Sequence, residues 1–454
     1  MRTGRFLALR AARLIGLSAL AICTSCNVGD SPPPTLSVSA STPSSGAPVL
    51  IQPSPTPLNN TLPSDPEVNH LLDLIDSDRL LIPVDELSSM VTRHVLSAGF
   101  DPTRGSGIGA AHDYLISQFR HIQSAAPLIV WSQPVTVQLN GVVTTTYNVV
   151  AVLQGNDVNA GVIVIGAHYD SLNAADPFSA DLPAPGADDN GSGVAAMLEI
   201  ARLMASAPPR TTLIFVAFTA QETGLQGSAA FINAYLQAQQ VPIVPRAVIN
   251  LDTIGRNRTT DGQPAVPILR LFSADLNNSP SRQLARAIQL LASAYVDSPR
   301  AVVQSAGERT GRLGDQQSFS AAGYPAVRLI EGTEDMTRQR TAQDTFDTIQ
   351  PGYLIGATKL ALAAIACLSD GPDPPGSVHW QMSGQALTWS QVDQAAGYVV
   401  ALRKAESVTF DRAITVAPRL QFIWSGLSAF DFAAVAAFNG NGRIGAFSPE
   451  VSLR

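Results

Sequence analysis

Residues 161–205 read GVIVIGAHYDSLNAADPFSADLPAPGADDNGSGVAAMLEIARLMA, and this stretch decides the architecture. Its first third is a continuous apolar, β-branched run, the pattern of a strand buried on both faces. After the turn signal Asn190-Gly191-Ser192-Gly193, apolar residues return at helical spacing up to Met204. Working outward, the same alternation recurs. YNVVAVLQG (147–155), TTLIFVAFTA (211–220), AVINLDTIG (247–255) and YPAVRLIEG (324–332) read as strands. GSAAFINAYLQAQQ (227–240), SRQLARAIQLLASAY (281–295) and PGYLIGATKLALAAIACLS (351–369) read as helices. Strands alternating with helices predict an α/β fold, a mostly parallel sheet sandwiched by helices. In such sheets the ligand site lies beyond the carboxyl ends of the strands.

The chain has 454 residues, more than one ordinary core organises, so more than one folded unit is expected. Hydrophobic residues make up 45% and charged residues 14%, which suits a globular protein with a large interior. A net charge of −7, with no Lys/Arg cluster beyond the first residues, argues against nucleic acid as a partner. Arg2, Arg5, Arg10 and Arg13 precede the apolar run 14–22, which is too short to span a bilayer and reads as an export signal over 1–26. Thr24-Ser25-Cys26 resembles the end of a bacterial lipobox, although Cys23 stands where that pattern has Leu. Lipid anchoring at Cys26 and simple cleavage with release both stay open. Either way the expected location is extracytoplasmic.

From 27 to 66 the chain is rich in Ser, Pro and Thr and reads as a tether. The α/β domain is expected over 67–370. At 371–377 GPDPPGS forms a Pro/Gly linker, and over 371–454 short alternating runs are broken by Asn439-Gly440 and Asn441-Gly442. This predicts a small β-sandwich. Its LTWS strand, its Tyr398 strand and the closing FSPEVSL resemble a fibronectin type III domain. Trp380, Trp389 and Trp424 are expected in its core, and Cys367 reads as a buried small hydrophobe.

Polar residues gather where the strands end. GAHYDS carries His168 and Asp170, APGADDNGSG carries Asp188 and Asp189, FTAQETGLQGS carries Gln221 and Glu222, and INLDTIG carries Asp252. A single carboxylate at a strand end reads as a helix cap or a solvated turn. Several at successive ends converge on one crevice, where unpaired buried carboxylates would repel one another at large cost. The group therefore calls for a cation, and imidazole with carboxylates is a donor set that suits zinc.

HYDS, PGADDNGSG, ETGLQGS and the NLD segment resemble, in order and spacing, the motifs of the co-catalytic zinc exopeptidases. That family includes secreted leucyl aminopeptidases, aminopeptidase Y, glutamate carboxypeptidase and glutaminyl cyclase, and the resemblance covers about His94 to Ser369. It implies that His168 binds one zinc with Asp170 orienting its ring, that Asp189 bridges two metals, and that Asp252 completes the first set. The second zinc would take Asp189, Glu222 and a late histidine.

Two positions depart from the family. In RTAQDT, Arg340 stands where that histidine is expected, and a guanidinium stays protonated and binds no zinc. Gln221 stands where the family has its general base, a role an amide cannot fill. All six histidines, His70, His94, His112, His121, His168 and His379, lie outside 253–378, so none substitutes for the missing ligand. The neighbouring Gly314-Asp315-Gln316 also lacks the histidine its pattern usually carries. Arg340 is expected to pair with Glu222 or Asp189, replacing the second zinc by charge. One zinc, or a metal-free pocket, is expected, with Asp344 supporting the pocket. The resemblance implies an aminopeptidase acting on peptides; the alternative is an inactive peptide- or surface-binding descendant.

Overall fold

The computed structural model describes residues 60–97, 105–274, 276–309 and 311–454. The expected leader at 1–26, with Cys26, and the tether up to residue 59 lie outside the described residues.

Eight strands form one mixed sheet: β1 (Leu128–Leu139), β2 (Val142–Leu153), β3 (Val162–His168), β4 (Thr212–Phe218), β5 (Pro245–Leu251), β6 (Ile268–Phe272), β7 (Arg300–Val303) and β8 (Ala326–Glu331). Their spatial order is β1-β2-β4-β3-β5-β8-β6-β7. The central strands β4, β3, β5 and β8 run parallel. Antiparallel pairings flank them, with β1 and β2 on one side and β6 against β8 on the other.

The helices are α1 (Pro66–Asp73), α2 (Ser77–Ser89), α3 (Gly107–Arg120), α4 (Gly193–Met204), α5 (Gln226–Phe231), α6 (Pro280–Ala292), α7 (Gln316–Ala321) and α8 (Pro351–Asp370). Successive residues of β3 serve opposite cores, which explains its unbroken apolar run. Ile163 and Ile165 pack with Val194 and Met197 of α4 and Leu360 of α8. Val164 packs on the other face with Phe218, Phe231 and Phe319. The helix predicted over 227–240 is shorter: α5 widens into a looser turn at Ile232–Leu236 and stops there. Helix α8 is long and apolar enough to cross a membrane, yet most of it is buried in this core.

Beyond α8, two small antiparallel sheets form the β-sandwich. The first holds β9 (His379–Gln381), β10 (Ala386–Thr388) and β13 (Gln421–Ile423). The second holds β11 (Gly397–Arg403), β12 (Arg412–Val416), β14 (Phe432–Phe438), β15 (Ile444–Phe447) and β16 (Val451–Ser452). Leu387, Trp389, Tyr398, Val400 and Val435 fill the space between them. Trp389 is buried there, while Trp380 and Trp424 are half-buried at its edge.

The sandwich does not hang from a free linker. Val399, Ala436 and Ile444 on the outer face of its larger sheet belong to the same core as α8. Gly445 meets the Pro372 carbonyl so closely that a Cβ there would lie 1.9 Å from that oxygen. All described residues accordingly fall in one compact unit. Residues 60–66, read as the end of the tether, are also built into the fold. Asp65 is fully buried, caps α1 and pairs with Arg443, and the Thr61 carbonyl accepts from Thr415 Oγ1. Composition missed this because the cation that holds the segment comes from far along the chain.

Candidate metal centre

The parallel strands end in one row of polar side chains. His168 closes β3, Gln221 and Glu222 follow β4, Asp252 follows β5, and Asp189 sits in the turn that opens α4. That turn is held from several sides. Asp344 accepts from the Asp188 and Asp189 amides at 3.0 and 2.9 Å, the supporting role expected of it. Asn190, joined to Asp189 by a cis peptide, accepts from the Gly193 and Thr253 amides. Gly193 admits this approach, since a Cβ there would meet Asn190 Oδ1 at 2.4 Å and the Leu251 carbonyl at 2.5 Å.

Donor atoms of His168, Asp189 and Glu222 lie within 4.8 Å of one another. His168 Nε2 stands 3.3 Å from Asp189 Oδ1 and 3.6 Å from Asp252 Oδ1, and it is buried without a hydrogen-bond partner. Ligand atoms in a tetrahedral zinc site with bonds of about 2.0 Å sit about 3.3 Å apart, which the His168–Asp189 and His168–Asp252 distances approach, while the three side chains whose donors all come together are His168, Asp189 and Glu222. The ring is oriented mainly by the backbone: Nδ1 is 3.1 Å from the Asp170 carbonyl and 3.5 Å from its carboxylate. That carboxylate accepts instead from the Gln221 and Glu222 amides. Asp170 thus fixes the β4 loop as well as the imidazole.

At the position that the resemblance gives to a second metal, an arginine stands beside Glu222. Arg340 lays its guanidinium across Glu222, with Nε 3.0 Å from Oε1 and Nη2 on Oε2, and Nε is 3.9 Å from Asp189. A guanidinium paired in this way competes with a metal for the Glu222 carboxylate. Gln221 turns its amide away from a proton-transfer role, since Nε2 donates to the Leu313 carbonyl at 2.9 Å.

Further arginines that the motifs gave no reason to include complete the network. Arg328 Nε lies 3.1 Å from Asp252 Oδ2, and its Nη1 reaches Glu308 at 2.8 Å. Arg312 Nη2 lies 3.5 Å from Asp189 Oδ2. Glu334 pairs with Arg270 and Arg309. The signal for Arg328 was present, as a charge inside the strand run AVRLIE whose every residue is buried.

Charge follows this geometry. Burial alone would raise Asp189, but the adjacent His168 imidazole and Arg312 hold it far below the usual carboxylate range. Burial would raise Asp252 too, and Arg328 and His168 overcome it. Burial pushes Glu222 up to about 7 against the pull of Arg340. Burial would depress His168, yet the neighbouring carboxylates of Asp252, Asp170 and Asp189 raise it well above its ordinary value. Asp315, behind this group, is pushed up to about 7 by burial. His112 is not part of the group; it bonds Asp113 and Ser132, each at 2.8 Å. Cys367 is buried, and burial raises its thiol to about 12, which makes it unreactive.

Arg93 was not singled out in the sequence, and it braces the loop that carries Asp189. It is fully buried and donates to the carbonyls of Tyr169, Leu87, Pro185 and Gly186. Arg93→Met leaves these carbonyls without their donor and is expected to cost about 1–3 kcal/mol of stability. Urea titration of the variant checks this; an unchanged midpoint would show that the loop is held by other contacts.

Residues 148–365 match the model of peptidase family M28. A probable zinc metalloprotease of Pyricularia oryzae is 31% identical over 377 residues, covering 74% of each chain. The chain belongs to peptidase family M28. A second probable zinc metalloprotease, from Pyrenophora tritici-repentis, is 29% identical and covers 69% of this chain and 79% of its own. Among solved structures, the LapA aminopeptidase of Legionella pneumophila superimposes with a TM-score of 0.53 at 24% identity, over 71% of this chain and 79% of its own. LapB from the same organism gives 0.51 at 23% identity, over 68% and 76%. The α/β sheet and its helices are thus the zinc exopeptidase fold, and the M28 match spans every residue of the centre from His168 to Arg340.

Proposed function

We propose that this M28 chain is an exported, single-zinc protein that holds peptides in its cleft and hydrolyses them poorly. The observation that carries this reading is the Arg340 guanidinium on Glu222, which takes the second metal's place. His168, Asp189 and Asp252 would hold the one zinc, which supplies Lewis-acid polarisation of a bound carbonyl. Asp170 and Asp344 position these ligands. Gln221 neither takes nor returns a proton, and loss of a general base costs about 10² to 10⁴ in rate. The alternative, a working aminopeptidase, is favoured by the spacing of the first donor set alone.

The basic leader followed by an apolar run supports export, with a lipid anchor at Cys26 or release after cleavage. The fibronectin type III-like reading of 371–454 rests on its strand pattern and on the Trp389–Tyr398 core. The partner is a peptide, and the net negative charge disfavours nucleic acid.

Metal analysis of the purified chain after dialysis tests the reading, together with turnover of aminoacyl p-nitroanilides. One zinc per chain with turnover at least about 10² below that of a two-zinc family member is the expected result. Two tightly held zinc ions would overturn it.

A further inference from the structure

The acids Glu222, Asp189 and Asp252 each already have a guanidinium beside them. Glu222 is forked by Arg340, Asp189 faces Arg312 and Arg340, and Asp252 faces Arg328. A peptide's terminal ammonium entering here meets guanidinium groups that already neutralise these three acids. Such an approach is repulsive in a site of low effective dielectric. Donors, by contrast, are left over. Arg340 spends Nε and Nη2 on Glu222, while Nη1 has no protein partner among the described residues and the side chain is 23% exposed. Arg312 is 91% buried, and its Nε has no hydrogen-bond partner. Unpaired guanidinium edges of this kind match the in-plane oxygens of a carboxylate.

Resting on the single-zinc reading, we infer that the centre recognises its ligand by a carboxylate, taken up through Arg340 Nη1 beside the His168–Asp189–Asp252 face. The preferred end of a bound peptide is then its C-terminus, the reverse of what an aminopeptidase requires. The same exchange of a histidine for an arginine that removes the second metal supplies the new recognition group. Arg340 also has a positive φ of 58°, and its carbonyl accepts from the Ala174 amide. Its guanidinium is therefore fixed from the backbone as well as by Glu222, and little ordering is left for a ligand to offset.

Calorimetric titration of the zinc-loaded chain with N-acetylalanine, N-acetylalaninamide and alaninamide tests this, with zinc content measured on the same samples. The carboxylate is expected to bind at least about tenfold more tightly than either amide, the effect of one charge-assisted hydrogen bond. Arg340→Gln should remove that preference with zinc unchanged, and Arg340→Lys should keep part of it. Equal binding of N-acetylalanine and N-acetylalaninamide by the natural chain, or tighter binding of alaninamide, would overturn the inference whether or not the variants fold. Two zinc ions per chain would instead defeat the single-zinc reading beneath it, so the two failures are separable.

Discussion

Gln221→Glu and Arg340→His, combined in one chain, are expected to raise bound zinc from one to two and to increase aminoacyl p-nitroanilide turnover by about 10² to 10⁴. The reasoning starts from Glu222. Its carboxylate is buried, and its oxygens are both engaged by Arg340. Removing the guanidinium while adding an imidazole frees those oxygens and supplies the missing ligand at the same position. The dication then neutralises what the guanidinium did. Glu at 221 restores a group able to take and return a proton, provided it leaves the Leu313 carbonyl that now receives the Gln221 amide.

Neither change suffices alone, because the two act on one site and their effects do not add. Gln221→Glu by itself places a third carboxylate beside Glu222 and Asp189 with no second metal to stabilise it, so zinc stays at one and turnover stays low. Arg340→His by itself admits the metal without the base. Turnover by the natural chain equal to that of the double variant would show that another group shuttles the proton, and the account of Gln221 would then be wrong.

What could be read in advance follows from where the physical signal lies. The β3 to α4 stretch is legible because a strand buried on both faces must be continuously apolar, and α4 must begin where Asn190 and Gly193 allow the turn. That Arg340 should pair with Glu222 or Asp189 is legible from the resemblance, which puts it at the place of a missing histidine ligand, together with the need of convergent acids for a cation. Arg312 and Arg93 are not legible as site residues, and the charge of Arg328 inside a buried strand run shows only that it needs a partner, not which one. Their partners are a carboxylate on another strand or carbonyls of a loop, and only the tertiary fold brings these together. The edge strand β1 escapes the pattern because Pro134 interrupts its alternation, a residue tolerated there since one side of an edge strand needs no ladder bonds. Residues 60–66 look like tether for the same reason that Arg93 looks ordinary, because the deciding contact is remote.

The β-sandwich supplies the second large effect. Glu450 accepts from Arg403 Nε and Nη2 at 2.7 and 2.6 Å and from Arg286 Nη1 at 3.1 Å, and all three side chains are almost wholly buried. Arg286 lies on α6 of the α/β layer, whereas Arg403 lies on β11, so one carboxylate joins the two parts. Glu450→Gln keeps the shape and removes the charge, leaving two buried guanidinium groups facing each other. Breaking a buried pair from one side costs about 3–5 kcal/mol, a large share of a typical folding free energy. Because the sandwich and α8 share a core through Val399, Ala436 and Ile444, the loss should appear in one cooperative transition. Urea unfolding in a Trp131→Phe background, followed both by tryptophan fluorescence, whose remaining Trp380, Trp389 and Trp424 lie in the sandwich, and by far-ultraviolet circular dichroism, dominated by the helices, reports on each part. Coincident curves shifted together to lower urea are expected. A fluorescence transition that moves while the helical one stays in place would show that the sandwich folds as an independent module and that Glu450 stabilises it alone.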